Sequence, residues 1–438
     1  MLSVTQAVQR ILDVVEPFPP EPLPITDARG LSLAEPIVSG IDSPPFDKAL
    51  VDGFAVRTAD VATGQATLTV VAEVSAGQVP TREVEPGTAI QIMTGAPLPG
   101  GADAVVRIED THRDGGRVVI AGKPVAAGQN ILRSGTALKA GEKVLAAGDV
   151  LTPSRIGALA ELGCGRVLVR RRPRVAILAT GDELVPVEAA PGPGQIRNSN
   201  EAMLSAQIAA HGALPTGLGI ARDHPQELAE KIRTGLEFDV LVLSGGVSAG
   251  KFDLVPTTLA ALQVEQVFHK VDMKPGKPVW FGLLARRPEV PPDSAAVDTP
   301  RAVGSPTAVG SPTAVGSPTA VGSQSGCYVF GLPGNPVSSL VCCELFVRTA
   351  LRRLMGLEPA EPIGTPARLT RGFHQKSDRP TYHPAFLSWS AEGLEARLVT
   401  WHGSSDLRAT VDGNGMVLLP TGEREYQAGE TVDAFWWG

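Results

Sequence analysis

The chain is poor in the residues that would build a cross-linked or metal-stapled protein. It has four cysteines in 438 residues, Cys164, Cys327, Cys342 and Cys343, and no C-x-x-C pair among them. Adjacent cysteines can scarcely share one ion or close a bridge without strain. Structural zinc and a disulfide framework are thereby excluded, and reduced, mostly buried thiols are expected. Excess positive charge is also missing: 39 Lys and Arg against 46 Asp and Glu leave a formal net charge of −7. That balance argues against nucleic acid or a membrane surface as partner. No apolar run is long enough to span a bilayer. The opening residues MLSVTQAVQRILDVVEPF lack the basic end and unbroken apolar stretch of a secretion signal, so a cytoplasmic location is expected. Aromatic residues are only 5 % of the chain against 43 % hydrophobic overall, so the cores must be filled by Ala, Val, Leu and Gly.

What is present is a succession of textures. Ser3 with Gln6 forms a capping-box pattern, and Val4, Val8, Ile11, Leu12 and Val15 recur at helical spacing, predicting a helix that ends near Glu16. From about 42 to 129 the pattern is short β-like runs split by Gly and Pro, among them TLTVVAEV, TAIQIM, AVVRIE and RVVIAG. Thr152, Pro153 and Gly163 then bracket a second helix. The two helices suggest a helical region, 1–41 and 130–172, into which the β-rich module is inserted. After RRRPR, the runs RVAILA, DVLVL, VEQVFHKV and CYVFGL read as strands buried on both faces, alternating with helices at 201–211, 225–236, 253–262 and after Pro336. This alternation predicts an open, mostly parallel α/β sheet domain over 173–358, with ligands at the carboxyl ends of the strands. From 359 the runs GFHQ, AFLSWS, ARLVTW, GMVLLP and TVDAFWW predict a small C-terminal β-barrel domain. The expected fold class is therefore an α/β multidomain protein. Residues 302–323 repeat AVGSPT. Hexads of Ala and Val cannot stack as a solenoid, so the insert 289–324 reads as a disordered linker.

Chemistry collects at the predicted strand ends. DVLVL runs into SGGVSAG, a glycine loop ahead of a helix (Ser244, Gly245, Gly246, Ser248) whose backbone amides can approach an anion. RVAILATGDEL delivers Asp182 and Glu183. GLPGNP braces Gly334 and Asn335 between Pro333 and Pro336. KPGKP sets Lys274 and Lys277 around a Pro-Gly corner, close behind Lys270. A lysine turn alone is usually a solvated surface. The convergence of these loops on one sheet edge instead indicates an anion-binding cleft.

TGAPLPGGADAVV, TGDEL, SGGVSAGKFD, KPGKP and GLPGNPVS occur in this order, and with FDKALVDGFAVR they resemble the molybdopterin molybdenumtransferase family, bacterial MoeA and the similar C-terminal domain of gephyrin. The resemblance covers nearly the whole chain outside the insert and implies a MogA-like α/β domain. It further implies a homodimer with shared active sites, transient contact with other enzymes of molybdenum-cofactor synthesis, and small anionic substrates. The implied reaction inserts molybdate into adenylylated molybdopterin and releases AMP, assisted by a divalent cation such as magnesium. Carried over position by position, it implies catalytic roles for Asp52, Glu183, Asp223, Asp253 and Lys274. Substrate binding falls to Thr94, Ser244, Gly245, Gly246, Ser248, Lys270, Lys277, Pro333, Gly334, Asn335, Pro336 and Ser404, and metal binding to Glu183 and Asp253. Asp223 and Asp253 could equally be helix-start acids, and Asp52 a turn residue. Two departures stand out. The family's N-I-R-R-x-G-E-D reads N-I-L-R-S-G-T-A here, with Leu132 for a basic residue and Ala137 for an acid, and Lys48-Ala49 replaces the usual Asn-Ser. The rival readings are a MogA-like molybdopterin adenylyltransferase, whose members lack the flanking modules, and a gephyrin-like scaffold or binding protein.

The hexads carry too little apolar area to offset the entropy of ordering them. Replacing 289–324 by a short Gly-Asn turn should leave the melting temperature and turnover nearly unchanged; a fall of many degrees would show that the repeat packs.

Overall fold

The computed structural model describes residues 1–247, 254–285 and 326–437. The AVGSPT insert, Ser248 and Asp253 lie outside the described residues. The chain divides into two compact units, one of Met1–Glu21, Gly30–Ser32 and Arg170–Gly438, the other of Pro22–Arg29 and Leu33–Val169. No helix among the described residues is long and apolar enough to cross a membrane.

The capping box forms as expected: Ser3 Oγ accepts from Gln6 N–H, and the Gln6 side chain accepts from Ser3 N–H, opening helix α1 (Val4–Val14). Two expectations for this helix need correction. It ends at Val14, not Glu16, because the backbone beyond is drawn off: Glu16 N–H donates to the Tyr328 hydroxyl and Phe18 N–H to the Leu354 carbonyl. Nor does it belong to a separate helical region. Ala7, Val8 and Ile11 are buried with Val175, Ile177, Phe281 and Phe346, in the core of the α/β unit.

In the second unit, strands β1 (Gly53–Val56), β2 (Gln65–Val74), β3 (Thr88–Ile92), β4 (Ala104–Arg107), β5 (Thr111–Asp114) and β6 (Arg117–Ala121) form one sheet in the order β4-β1-β3-β2-β6-β5. Gly53 is required where β1 crosses β4, since a Cβ there would lie 1.9 Å from the Val106 carbonyl oxygen. The predicted second helix, α2, spans Pro153–Glu161 with Thr152 as its cap.

The other unit is built on β7 (Arg174–Thr180), α3 (Ser199–Ala210), β8 (Leu214–Ala221), α4 (Pro225–Gly235), β9 (Val240–Ser244), α5 (Leu254–Ala261), β10 (Glu265–His269), β11 (Trp280–Leu284), β12 (Cys327–Leu332), α6 (Pro336–Cys342) and α7 (Arg348–Leu354). The sheet order is β8-β7-β9-β12-β11-β10, with β8, β7, β9 and β12 mutually parallel and β11 reversed. Alternate residues serve two cores: Val240 and Val242 face one, Leu241 and Leu243 the other. That is why these strands read as continuous apolar runs. The edge strand β8, LPTGLGIA, was not expected, because Pro215, Gly217 and Gly219 erase the strand pattern. An edge with one partner tolerates them. The terminal residues form the expected closed barrel, β13 (Thr365–Leu369), β14 (Thr381–Ser390), β15 (Gly393–Leu398), β16 (Gly415–Leu419) and β17 (Thr431–Trp436), in the order β13-β15-β14-β16-β17.

Asp239, 1 % exposed, anchors the N-terminal end of β9. It accepts two bonds from Arg171 at 2.6 and 2.9 Å and one from Arg174 N–H at 2.8 Å, while the Arg171 guanidinium stacks 3.9 Å from the centre of the Phe18 ring. Removing Arg171 leaves this buried carboxylate, among the described residues, with only the longer ion pair to the Arg174 guanidinium, at 3.8 Å. Arg171→Leu should therefore destabilise the α/β unit by about 3 kcal/mol, read from its urea midpoint; an unchanged midpoint would show the pair to be idle.

Candidate functional site

Parallel strands leave their C-terminal ends side by side, and three of them converge here. β7 ends on Thr180 and leads into Gly181 and Glu183; past β9 come Gly245 and Gly246; past β12 comes the turn Pro333–Gly334–Asn335 that opens α6. Together with Asn198, Ser199 and Asn200 at the start of α3, and with Asp223, they line a cavity of about 580 Å³. Its shape depends on glycine. Gly181 has φ +145°, and a Cβ there would meet the Glu183 carboxylate at 2.4 Å; Gly245 has φ +97°, and a Cβ would meet the Thr180 carbonyl oxygen at 2.6 Å. The acidic loop is tied to its neighbour by Asp223 N–H, which donates to Asp182 Oδ1 at 3.1 Å, and by Arg222, which donates to the carbonyls of Asp182 and Leu184. Glu183 and Asp223 are exposed at this lip, and Ser244 is buried beneath it.

The lysine turn shapes a second recess of about 290 Å³, lined by Lys274, Lys277, Ser338, Arg379, Trp401 and Ser404 among others. Pro278, Pro333 and Asn335 line both recesses, so the two adjoin. The turn is latched to the barrel: Lys274 N–H donates to the Pro380 carbonyl at 2.8 Å, and Tyr382 N–H donates to the Lys274 carbonyl at 2.7 Å. Gly276, at φ +110°, lets the turn pass the Cys342 sulfur, which a Cβ would approach to 2.5 Å. Neither Lys274 nor Lys277 has an ion-pair partner among the described residues, and both are exposed. Among the described residues Arg379 pairs only with its neighbour Asp378, at 3.3 Å. Ser404 is fixed by Asn335, whose amide donates to its Oγ at 2.7 Å, and by Val337 N–H, which donates to its carbonyl at 3.1 Å. The loop is braced further by Asp406, whose carboxyl is held below the usual range by the backbone N–H and ring of His402.

Most of the expected site residues therefore fall on these two recesses. Lys270 does not: half-buried at φ +69°, it lines neither. Arg379, Trp401, Asn198 and Asn200 were missed. RNSN and SDRP look like ordinary polar loops, and only the fold brings them to the cleft.

Asp52 and Thr94 lie in the other unit and are paired there. Asp52 Oδ1 accepts from Thr94 N–H at 2.7 Å and from its hydroxyl at 2.8 Å. Those donors, the backbone amide first, hold the Asp52 carboxyl below its ordinary value. Nearby, Leu132 pairs with Lys48 across a two-residue ladder, so a cation does stand beside the position where the basic residue is missing. Ala137 offers only its backbone, donating to the Ser43 carbonyl at 2.9 Å.

Because its folded value is depressed, the Asp52 charge persists through mildly acidic pH and is lost only as pH falls through that lowered value. Thr94→Val removes the hydroxyl donor and should move the Asp52 titration upward, toward an ordinary aspartate, in a carboxylate NMR titration. An unmoved titration would contradict the pairing.

Three family profiles cover the chain in succession: MoeA N-terminal region (domain I and II) over residues 2–163, probable molybdopterin binding domain over 176–353, and MoeA C-terminal region (domain IV) over 366–437. The molybdopterin molybdenumtransferase of Nostoc sp. is 34 % identical, covering 92 % of this chain and 86 % of the relative. That of Staphylococcus aureus is 32 % identical, covering 99 % and 94 %. The crystal structure of the molybdopterin biosynthesis MoeA protein from Pyrococcus horikoshii superposes with a TM-score of 0.75 at 28 % identity, covering 100 % of both chains. On these matches the chain belongs to the MoeA family of molybdopterin molybdenumtransferases, enzymes of molybdenum-cofactor biosynthesis.

Proposed function

We propose that the enzyme inserts molybdate into adenylylated molybdopterin and releases AMP. The observation that carries this reading is the pair of adjoining recesses, one large and lined by amides and carboxylates, the other small and cationic, with Pro278, Pro333 and Asn335 between them. The phosphoanhydride substrate takes the larger recess, over the amide of Gly246. Molybdate, a compact tetrahedral dianion, takes the smaller, among Lys274, Lys277, Arg379 and the hydroxyls of Ser338 and Ser404. Charge-assisted bonds from such donors are about twice as strong as neutral ones. They also offset the repulsion between the two anions.

No group of three or more potential ligands able to hold a metal occurs among the described residues. Magnesium, however, is commonly held by one or two carboxylates together with substrate phosphates. Glu183 and Asp223, both facing the larger recess, fit that pattern, with Asp253 a further candidate ligand. Bound there, the ion would neutralise phosphate charge. The residues themselves position the anhydride: the Gly246 amide orients its phosphates, and Glu183 and Asp223 keep an anionic rim that favours departure of AMP. Asp52 is proposed to act from the second copy of a homodimer; a strictly monomeric, fully active enzyme in sedimentation would contradict this.

The test is AMP release from adenylylated molybdopterin, with and without molybdate and magnesium. Release that requires both is expected; consumption of ATP with molybdopterin alone would instead support an adenylyltransferase. Lys274→Ala and Lys277→Ala should each weaken substrate binding by ~1.5–3 kcal/mol with little effect on melting temperature. Unchanged binding in both would return the lysine turn to solvent.

A further inference from the structure

We propose that Asn200 is a positioning residue that sets the spacing between the glycine loop and the proline turn, and so the width of the larger recess. Strands β9 and β12 run parallel, and Gly245 N–H to the Leu332 carbonyl, at 3.0 Å, is their last backbone rung among the described residues. Beyond it the glycine loop and the proline turn stay close, a Cβ on Gly334 falling 3.6 Å from the Gly245 Cα, and both line the cleft. Asn200, 9 % exposed, ties the two together: its amide nitrogen donates to Ser244 Oγ at 2.8 Å and to the Gly334 carbonyl at 2.7 Å.

The turn needs such an outside donor. Pro333 and Pro336 have no N–H, so the turn has few donors with which to tie itself. Three of its polar groups are instead met from elsewhere. The Pro333 carbonyl accepts from Ser339 Oγ, the Asn335 side chain donates to Ser404, and the Gly334 carbonyl accepts from Asn200. A primary amide is the side chain that suits both acceptors, because one nitrogen carries two diverging hydrogens. Aspartate has the same shape and no donor; serine has one donor and a shorter reach. The remaining Asn200 oxygen is buried without a hydrogen-bond partner among the described residues, as is Thr180 Oγ1, and both residues line the cavity. Burying that oxygen unpaired is a cost the position bears in order to place its two donors.

The test compares the parent with Asn200→Asp and Asn200→Ala by amide hydrogen exchange and by steady-state kinetics. Gln207→Ala serves as a control, because Gln207 is buried on the same helix but bonds to the Leu340 carbonyl and Glu344. Exchange at the Gly245 and Val337 amides should quicken on the order of tenfold or more in both Asn200 variants, with the β7 amides unchanged. The KM for adenylylated molybdopterin should rise on the order of tenfold, with a smaller change in kcat, at temperatures where each variant is fully folded. Gln207→Ala should lower the melting temperature and leave KM alone. The kinetic half rests on the reaction proposed above; the exchange half does not. Unchanged exchange at both amides overturns the clamp whatever the activity. Faster exchange with KM within twofold of the parent overturns the positioning role. A parent that releases no AMP defeats the proposed reaction and leaves the clamp to be decided by exchange alone.

Discussion

Repulsion between like charges is the constraint on which the proposed chemistry depends. Each pair of unit charges about 5 Å apart repels by about 3 kcal/mol at an effective dielectric near 20, and two polyvalent anions multiply that figure. A chain with a net charge of −7 gains nothing from its overall field. The compensation must be local and held in place beforehand, which explains why so much of the structure is spent on fixing loops. Lys274 and Lys277 sit on a turn whose backbone is bonded to the barrel strand Thr381–Ser390, and Arg379 projects from the loop just ahead of that strand. The barrel therefore supplies one cation and the anchor for two others.

The same logic gives the parallel sheet its role. Its far end is pinned by Arg171 and Asp239, and its cores are filled from both faces, so the strand ends are rigid platforms. Small residues then let the backbone itself line the cleft: Gly181, Gly245 and Gly276 all hold positive φ where a side chain would collide. Helix α1, from the opposite end of the chain, packs into this unit as well.

Much of this was legible in the sequence, for physical reasons. The central strands show as uninterrupted apolar runs because both faces are buried. The cleft loops show because tight strand-to-helix turns demand Gly and Pro. What could not be read is what depends on long-range closure. The edge strand Leu214–Ala221 carries Pro and Gly that a central strand would reject. Arg379 reaches the site only because the barrel closes against the lysine turn, and Asn200 matters only because two loops far away in sequence flank it. Lys270 looked like part of the basic cluster, yet it lines neither recess. Asp253 and Ser248 lie outside the described residues.

The proposed reaction divides its two anions between the adjoining recesses. That division is tested most directly by soaking molybdate into crystals of the protein and locating the metal from its anomalous scattering. A molybdenum peak among Lys274, Lys277, Arg379 and Ser404 is the expected result. A peak in the larger recess between Glu183 and Gly246, with none beside the lysine turn, would contradict it.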